Sequence, residues 1–373
     1  MRKRGPAAKP QASLTVRQPI MMDVARLAGV SMKTVSRVVN KEPNVREEVR
    51  ERVTRAATAL GYQPNFSARS LAGERSFLIG YLFGDPGGDY AHRVEVSILN
   101  RCRGAGYHLL VEQLDDAAAD VADRTAALVS QLRLDGVILT APITDHAEVL
   151  RVLEEARVPY VRIAPDTDSD RSPAVHMDDA RAAEELTEHV IGLGHRRIGF
   201  IKGDPRHAAA RLRLRGFRRA MTAHRLQVPE QLLEQGSFSY SSGLDCARRL
   251  LHRRPAPTAI IASNDDMAAA VIAVAHEMGL RVPEELSVVG FDDAPIAQVV
   301  WPALTTVRQP ISLMAEAATD MLLSLLASRN GGAWPSPMPR RELDYELKLR
   351  QSAAPLGGYR RRGAPAGEAG RGS

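Results

Sequence analysis

Residues 21–40 read MMDVARLAGVSMKTVSRVVN, and this stretch decides how the front of the chain folds. Met21, Val24, Ala25 and Ala28 recur at helical spacing, Gly29 interrupts them, and Ser31 opens a second periodic run through Val35, Val38 and Val39. Ala25 is small where two short helices must cross closely, Gly29 accepts the positive φ of a tight turn, and the Ser31 hydroxyl caps the second helix. The expected element is a helix-turn-helix. Met32, Lys33, Ser36 and Arg37 are left on the outer face of its second helix, a polar and basic surface of a size the major groove admits. Any short helical hairpin with a glycine turn shares this pattern, so the neighbouring sequence has to decide.

Charge supports a polyanion partner for the front of the chain alone. Residues 1–75 carry 15 Lys+Arg against 6 Asp+Glu, whereas residues 76–350 carry 31 against 37. The first 17 residues are rich in Pro, Ala and basic residues without periodicity, and are expected to be a disordered basic arm. They have no apolar core of the signal-peptide kind, and the apolar runs elsewhere are strand-length, so a cytoplasmic protein without membrane spans is expected. Cys102 and Cys246 have no C-x-x-C partner, which predicts buried free thiols and neither disulfide nor zinc site.

After the hairpin comes KEPNVREEVRERVTRAATALGYQP, residues 41–64. Asn44 with Glu47 three residues on reads as a capping-box start, Val49, Val53, Ala57 and Leu60 share one face, and Gly61 and Pro64 end the helix. Residues 65–73, NFSARSLAG, lie between breakers and read as a linker or a helix too short to stand alone in water.

From residue 76 the pattern changes to strand-helix alternation. SFLIGYLF, YHLLVEQL, DGVILTAP, VPYVRIA, RRIGFIKG, TAIIASND and LSVVGFDD read as strands, with helical spacing between them, as over 118–132 and 179–193. This alternation predicts parallel sheets covered on both faces, and some 275 residues predict two α/β lobes. Ligands in such sheets sit beyond the carboxyl ends of strands. GDPGGDY (84–90) follows the first strand, as either a mere turn or a place where Asp85 meets a ligand. Asn264-Asp265 and Asp292-Asp293 end two others.

D-V-A-x-x-A-G-V-S-x-x-T-V-S-R-V-V-N, then G-Y-x-P-N, then A-R-S-L-A-G together resemble the lactose-repressor (LacI/GalR) family of bacterial transcription regulators. The resemblance implies an α/β fold class with an all-α helix-turn-helix head at 18–63, a hinge helix at 64–74 and a two-lobed, periplasmic-binding-protein-like body at 75–350; the composition of 351–373, which ends GGYRRRGAPAGEAGRGS, reads as a disordered tail. The body's first lobe is expected near 76–176 and 307–336, and its second near 177–306 and 340–350, with three crossings between them. In the family the hinge folds on operator binding and wedges a leucine into the minor groove, which implies Leu71, with Arg69 beside it. Met32 and Lys33 are the expected base readers, by apolar contact with a thymine methyl and by donation to guanine O6/N7. Ser31, Thr34, Ser36, Arg37, Asn40 and Asn44 are expected at phosphates and adjacent bases.

The same resemblance implies the cleft contacts. AARLRLRGF (209–217) matches the family's R-L-x-G-F motif in the register that singles out Arg213 over Arg211 and Arg215. Asn264, Asp292 and Gln309 match other cleft positions, while Asp265 and Asp293 are expected to cap or orient the following helices. Phe238 reads as core or cleft from its residue type, and the resemblance places it against the C–H face of a sugar. Carboxylate, guanidinium and amide together suit a polyol. One departure stands out: after VPYVRI the family continues with Asp-Arg, but here Ala164-Pro165 precede Asp166, so a charged cleft contact is either missing or displaced to Asp166.

Enzymatic readings find little support. GLGHRRIG (192–199) lacks the third glycine of a dinucleotide fingerprint, His189 and His195 lack metal-ligand spacing, and no nucleophile-elbow or phosphate-loop motif occurs. The expected protein is a non-enzymatic DNA-binding repressor of sugar-related genes, without cofactor or metal. Its partners would be double-stranded DNA with a roughly palindromic operator, a carbohydrate-like effector and a second copy of itself. A sugar-binding transport component is the rival, and would require export; an architectural DNA binder that ignores sugars is a third reading.

Overall fold

The computed structural model describes residues 19–39, 45–62, 75–84, 88–168, 170–328 and 337–357. The expectations for the arm at 1–17, Asn40, Asn44, Arg69, Leu71 and Asp85 lie outside these residues. The chain divides into two units, Met1–Ser76 and Phe77–Ser373.

Among its described residues the first unit has three helices: α1 (Met21–Ala28), α2 (Met32–Val39) and α3 (Glu47–Leu60). Val24, Ala25, Ala28, Val35, Val38, Val53 and Ala56 form its buried core, as the helical spacing requires. Gly29 takes φ 63, and the Val30 N–H donates to the Ala25 carbonyl at 3.0 Å, closing α1 with a left-handed cap. Gly61 closes α3 in the same way at φ 62. The start of α3 differs from expectation. Its first residue is Glu47 and its N-cap is Arg46, without a side-chain cap bond, so Glu47 sits in the first turn, where its charge and that of Glu48 complement the positive end of the helix dipole.

The second unit holds two six-stranded sheets. Strands β1 (Leu78–Phe83), β2 (His108–Gln113), β3 (Gly136–Leu139), β4 (Tyr160–Ile163), β5 (Ala174–His176) and β11 (Arg340–Glu342) form one, in the order β11-β5-β4-β3-β1-β2, all parallel. Strands β6 (Ile198–Lys202), β7 (Leu233–Gln235), β8 (Ala259–Ala262), β9 (Ser287–Asp292), β10 (Thr305–Arg308) and β12 (Glu346–Lys348) form the other, in the order β12-β10-β9-β8-β6-β7. Only β12 runs antiparallel there, against β10. Helices α4 (Gly88–Ala105), α5 (Val121–Leu132), α6 (Ala147–Glu155) and α12 (Ile311–Ala327) accompany the first sheet, and α7 (Asp179–Gly192), α8 (Ala208–Ala223), α9 (Tyr240–Leu251), α10 (Asp265–Glu277) and the short α11 (Ile296–Val299) the second. The chain crosses between lobes after β5, after β10 and after β11.

Two lobe boundaries move. Val307 and Arg308 belong to the second lobe, because β10 pairs with β9, and the crossing follows them. Arg340–Glu342 belongs to the first lobe, because it pairs with Ala174–His176. All three residues of β11 are exposed, so no apolar pattern marks it. Gln351–Gly357, expected as tail, packs on the second lobe: the Ser352 hydroxyl donates to the Val288 carbonyl at 2.5 Å, and the Ala354 carbonyl meets His195 Nε2 at 3.1 Å. Both cysteines are buried, and no described helix is long and apolar enough to cross a membrane.

Candidate functional site

In the first unit, Ser31 accepts a hydrogen bond from the Thr34 N–H at 3.2 Å and caps α2, which consumes its local role and leaves the neighbouring side chains outward. Met32 is 51% exposed, an uncovered thioether that local packing does not explain. Lys33 is exposed, and Thr34, Ser36 and Arg37 lie on the flanks. Val35 and Val38 turn inward and hold this helix on the core. The face is a short ridge of one apolar and several hydrogen-bonding groups, the chemistry that reads base edges in a major groove.

In the second unit a cavity of about 460 Å³ lies at the carboxyl ends of the strands, between the lobes. Arg213, Phe238, Asn264, Asp292 and Gln309 all line it. Gly216 explains how Arg213 comes to be there. A Cβ at Gly216 would stand 2.0 Å from the Ala180 carbonyl oxygen, so only glycine lets α8 approach the backbone of α7 this closely. That approach sets Arg213 Nε 2.8 Å from Asp179 Oδ1. Its Nη1 donates to the Ser263 carbonyl at 2.5 Å and reaches Asp292 Oδ1 at 3.5 Å, and the guanidinium lies 3.7 Å from the Phe291 ring centroid.

Asp292 ends β9 at φ 113 and Asp293 follows at φ 51, two adjacent residues in the region that side chains disfavour. Several contacts hold them there. Gln309 Nε2 donates to Asp292 at 2.5 Å, and Asp293 receives Arg308 and Arg350 at 2.6 and 2.5 Å. Burial pushes the Asp292 carboxyl up to about 6, Arg213 and Gln309 acting against it and Asp179 and Asp266 with it.

The expected division of labour at 264–265 changes. Asn264 is the N-cap of α10, accepting from the Met267 N–H at 3.1 Å and donating to the Phe238 carbonyl at 2.7 Å. Asp265 is buried and does not cap; it accepts from the Ala294 N–H at 2.8 Å and the Thr306 hydroxyl at 2.6 Å, and so aims the turn that follows Asp292. Burial and the nearby Asp292 raise its carboxyl well above the usual range. Phe238 sits at φ 61 with its ring over Gly203, where a Cβ would lie 2.0 Å from the ring. Asp293 ties β9 to Arg308 and Arg350 instead of capping a helix.

Asp166 does not line the cavity. It is spent on Arg211 of α8, and its loop is built by Asp145, which accepts from the Asp166 N–H at 3.0 Å, and by fully buried Arg162, which donates to the Thr167 carbonyl at 2.9 Å. Ala164 takes the wall position at φ 51. The structure also brings in residues that the sequence did not single out: Asp89, Tyr90, Thr140, Asp179, His207 and Asp266. Asp89 and Tyr90 stood within the glycine-rich turn and Asp266 beside Asn264-Asp265, which is the signal that was available for them. Asp179 looked like an ordinary acidic helix start.

A groove-sized helical ridge and a polar, aromatic-walled cleft at a sheet switch point define a DNA-reading regulator with a small-molecule input. Residues 20–65 match the family of bacterial regulatory proteins, lacI family, and residues 187–353 match the periplasmic binding protein-like domain. The chain is 33% identical over 344 residues to the HTH-type transcriptional regulator DegA of Bacillus subtilis, covering 90% of this chain and 98% of that one. It is 33% identical to the ribose operon repressor of Escherichia coli, over 81% of this chain and 92% of the relative. Among solved structures, the lac repressor dimer bound to operator and an anti-inducer aligns with TM-score 0.76 at 28% identity, over 91% of this chain and all of that one. The transcriptional regulator CelR–cellobiose complex aligns with TM-score 0.69 at 29% identity, over 90% of this chain and all of that one. The protein belongs to the lacI family; it is a DNA-binding transcriptional regulator and not an enzyme.

Proposed function

We propose that the protein is a homodimeric repressor of sugar-related genes, whose operator affinity is set by a carbohydrate-like effector in the cleft between its lobes. One observation carries this reading: Arg213, Asp179, Asp292 and Gln309 form a single hydrogen-bonded cluster on the wall of a cavity that also presents Phe238 and Tyr90. Carboxylate and amide oxygens accept from adjacent hydroxyls, a guanidinium donates, and aromatic faces cover the C–H side of a sugar ring. The relatives include a ribose operon repressor and a regulator solved with cellobiose, which is consistent with this chemistry.

The head at 18–63 would read DNA through Met32 and Lys33, with Ser31, Thr34, Ser36, Arg37, Asn40 and Asn44 positioning it. The hinge at 64–74 would insert Leu71 beside Arg69, and the body at 75–350 would bind effector and pair with a second copy. Val299 and Trp301, 80% and 78% exposed at the end of α11, support a partner surface there. Two-fold pairing implies a roughly palindromic operator. Effector binding changes lobe closure and thereby the cost of docking both heads, which is linkage between two sites. Thermal-shift screening of sugars, followed by operator binding with and without the hit, tests the reading. A stabilising sugar that changes operator affinity is the expected result, and a chain that binds operator but no sugar would sink it.

A further inference from the structure

Charge in the cleft is one-sided. Among the described residues, carboxylates of Asp89, Asp179, Asp266 and Asp292 line it, against the guanidinium of Arg213 and the imidazole of His207. Arg213 already gives Nε to Asp179 and Nη1 to the Ser263 carbonyl and Asp292, so two carboxylates answer its charge before any ligand arrives, while its Nη2 can still donate to a ligand hydroxyl. The arginines nearest the rim are committed too: Arg206 to Asp204 and Asp116, at 2.7 and 2.6 Å, and Arg211 to Asp166. Of the helices that begin at the cavity, α4, α7 and α10 each carry an aspartate in the first turn that answers the N-terminal partial charge, whereas α8 and α9 carry none.

Two of the carboxylates come from opposite lobes. Asp89 begins α4 in the first lobe, where Arg93 reaches it at 3.4 Å. Asp266 begins α10 in the second, and no cation or hydrogen-bond donor among the described residues holds its carboxylate. Its Oδ2 lies only 3.8 Å from where a Cβ of Gly88 would be, so it looks directly at the start of α4. Burial, and then the charge of Asp89, push its carboxyl above the usual range. Closing the lobes therefore brings like charges together, and a neutral ligand leaves them facing each other.

Resting on the effector reading above, we propose that the cleft is built for a polyol carrying a protonated amine, seated between Asp89 and Asp266, and that it rejects sugar phosphates and uronates. An ammonium has three donors and turns the Asp89–Asp266 repulsion into two attractions that span the lobes, which couples the ligand's charge to closure.

The test is calorimetry on the full-length protein with matched sets: glucose, galactose and mannose, each with its 2-amino, uronate and 6-phosphate counterpart. For at least one set the amino sugar is expected to bind about tenfold or more tighter than its neutral parent, a gap of about 1.4 kcal/mol, with no binding of the anionic forms. Asp266→Asn and, separately, Asp89→Asn should each shrink that preference toward one. A neutral parent that binds as well as its amino form, or an anionic form that binds, overturns the charge assignment while leaving the effector cleft standing. If no sugar of any charge binds, both the charge assignment and the effector reading fall.

Discussion

Asp166, on the loop after β4, is ion-paired to Arg211 of α8, so a loop of the first lobe is tied to a helix of the second at the rim of the cleft. The loop is not free to choose another partner, because Asp145 and buried Arg162 hold its backbone. Arg211 is 52% exposed, and a pair this open contributes at most about 1 kcal/mol. Asp166→Ala is therefore expected to weaken effector binding roughly two- to fivefold by favouring the open lobes, and exchanging the charges (Asp166→Arg with Arg211→Asp) should recover most of it. Calorimetry at low and high salt checks this; an unchanged affinity in the single variant would mean that the pair does not bias closure.

Asp292 makes effector binding depend on pH. Its folded carboxyl titrates at about 6, above the ordinary carboxylate range, because it is buried near Asp179 and Asp266. The folded state thus holds a proton that the unfolded state has already lost, so this group's contribution to stability is full below the ordinary range, declines as pH rises toward about 6, and is level above it. Binding has the opposite sign, since the effector needs the carboxylate. Affinity is expected to fall as pH drops through about 6, approaching tenfold per unit, and Asp292→Asn should flatten the profile. A flat profile in the unmodified protein would show that Asp292 does not accept from the effector.

Lys33→Ala tests the reading helix. If Lys33 donates to a guanine, the loss is about 1–3 kcal/mol and is confined to one base pair of each half-site. An equal loss on all sequences, with a shallower salt dependence, would make it a phosphate contact.

Gly216→Ala tests the approach of α8 to α7. The added methyl meets the Ala180 carbonyl at 2.0 Å and the Glu184 nitrogen at 2.9 Å, both backbone atoms that cannot swing away. A destabilisation of about 1–3 kcal/mol is expected, seen as a lower Tm, together with weaker effector binding as Arg213 is drawn from Asp179. An unchanged Tm would mean that the two helices can separate without cost.

Trp301→Asp tests the second copy. A charge at a side chain 78% exposed should leave the monomer's stability nearly unchanged but shift sedimentation toward monomer and weaken operator binding. A variant that still sediments as a dimer would place the subunit contact elsewhere.

The helix-turn-helix was legible in the sequence because its information is local. Apolar spacing, the Ser31 cap and the αL glycines Gly29 and Gly61 all act within a few residues, and the chain folds there as its own pattern directs. The buried runs of β1, β3, β4, β6, β8 and β9 were legible for the same reason, each being a mostly apolar segment, although β4 carries the buried Arg162 within it. Strands β11 and β12 were not, since they are three residues each, β11 exposed throughout and β12 at best half-buried, and become strands only because a sheet edge is waiting for them. The cleft depended most on tertiary structure. Arg213 meets Asp179 from 34 residues away and Asp292 from 79, and Asp89 faces Asp266 only because two separate sheets bring their helix starts together. Which arginine enters the cleft could be read from a motif, but how its charge is neutralised there, and which carboxylate is left without a partner among the described residues, followed only from the folded arrangement of the two lobes.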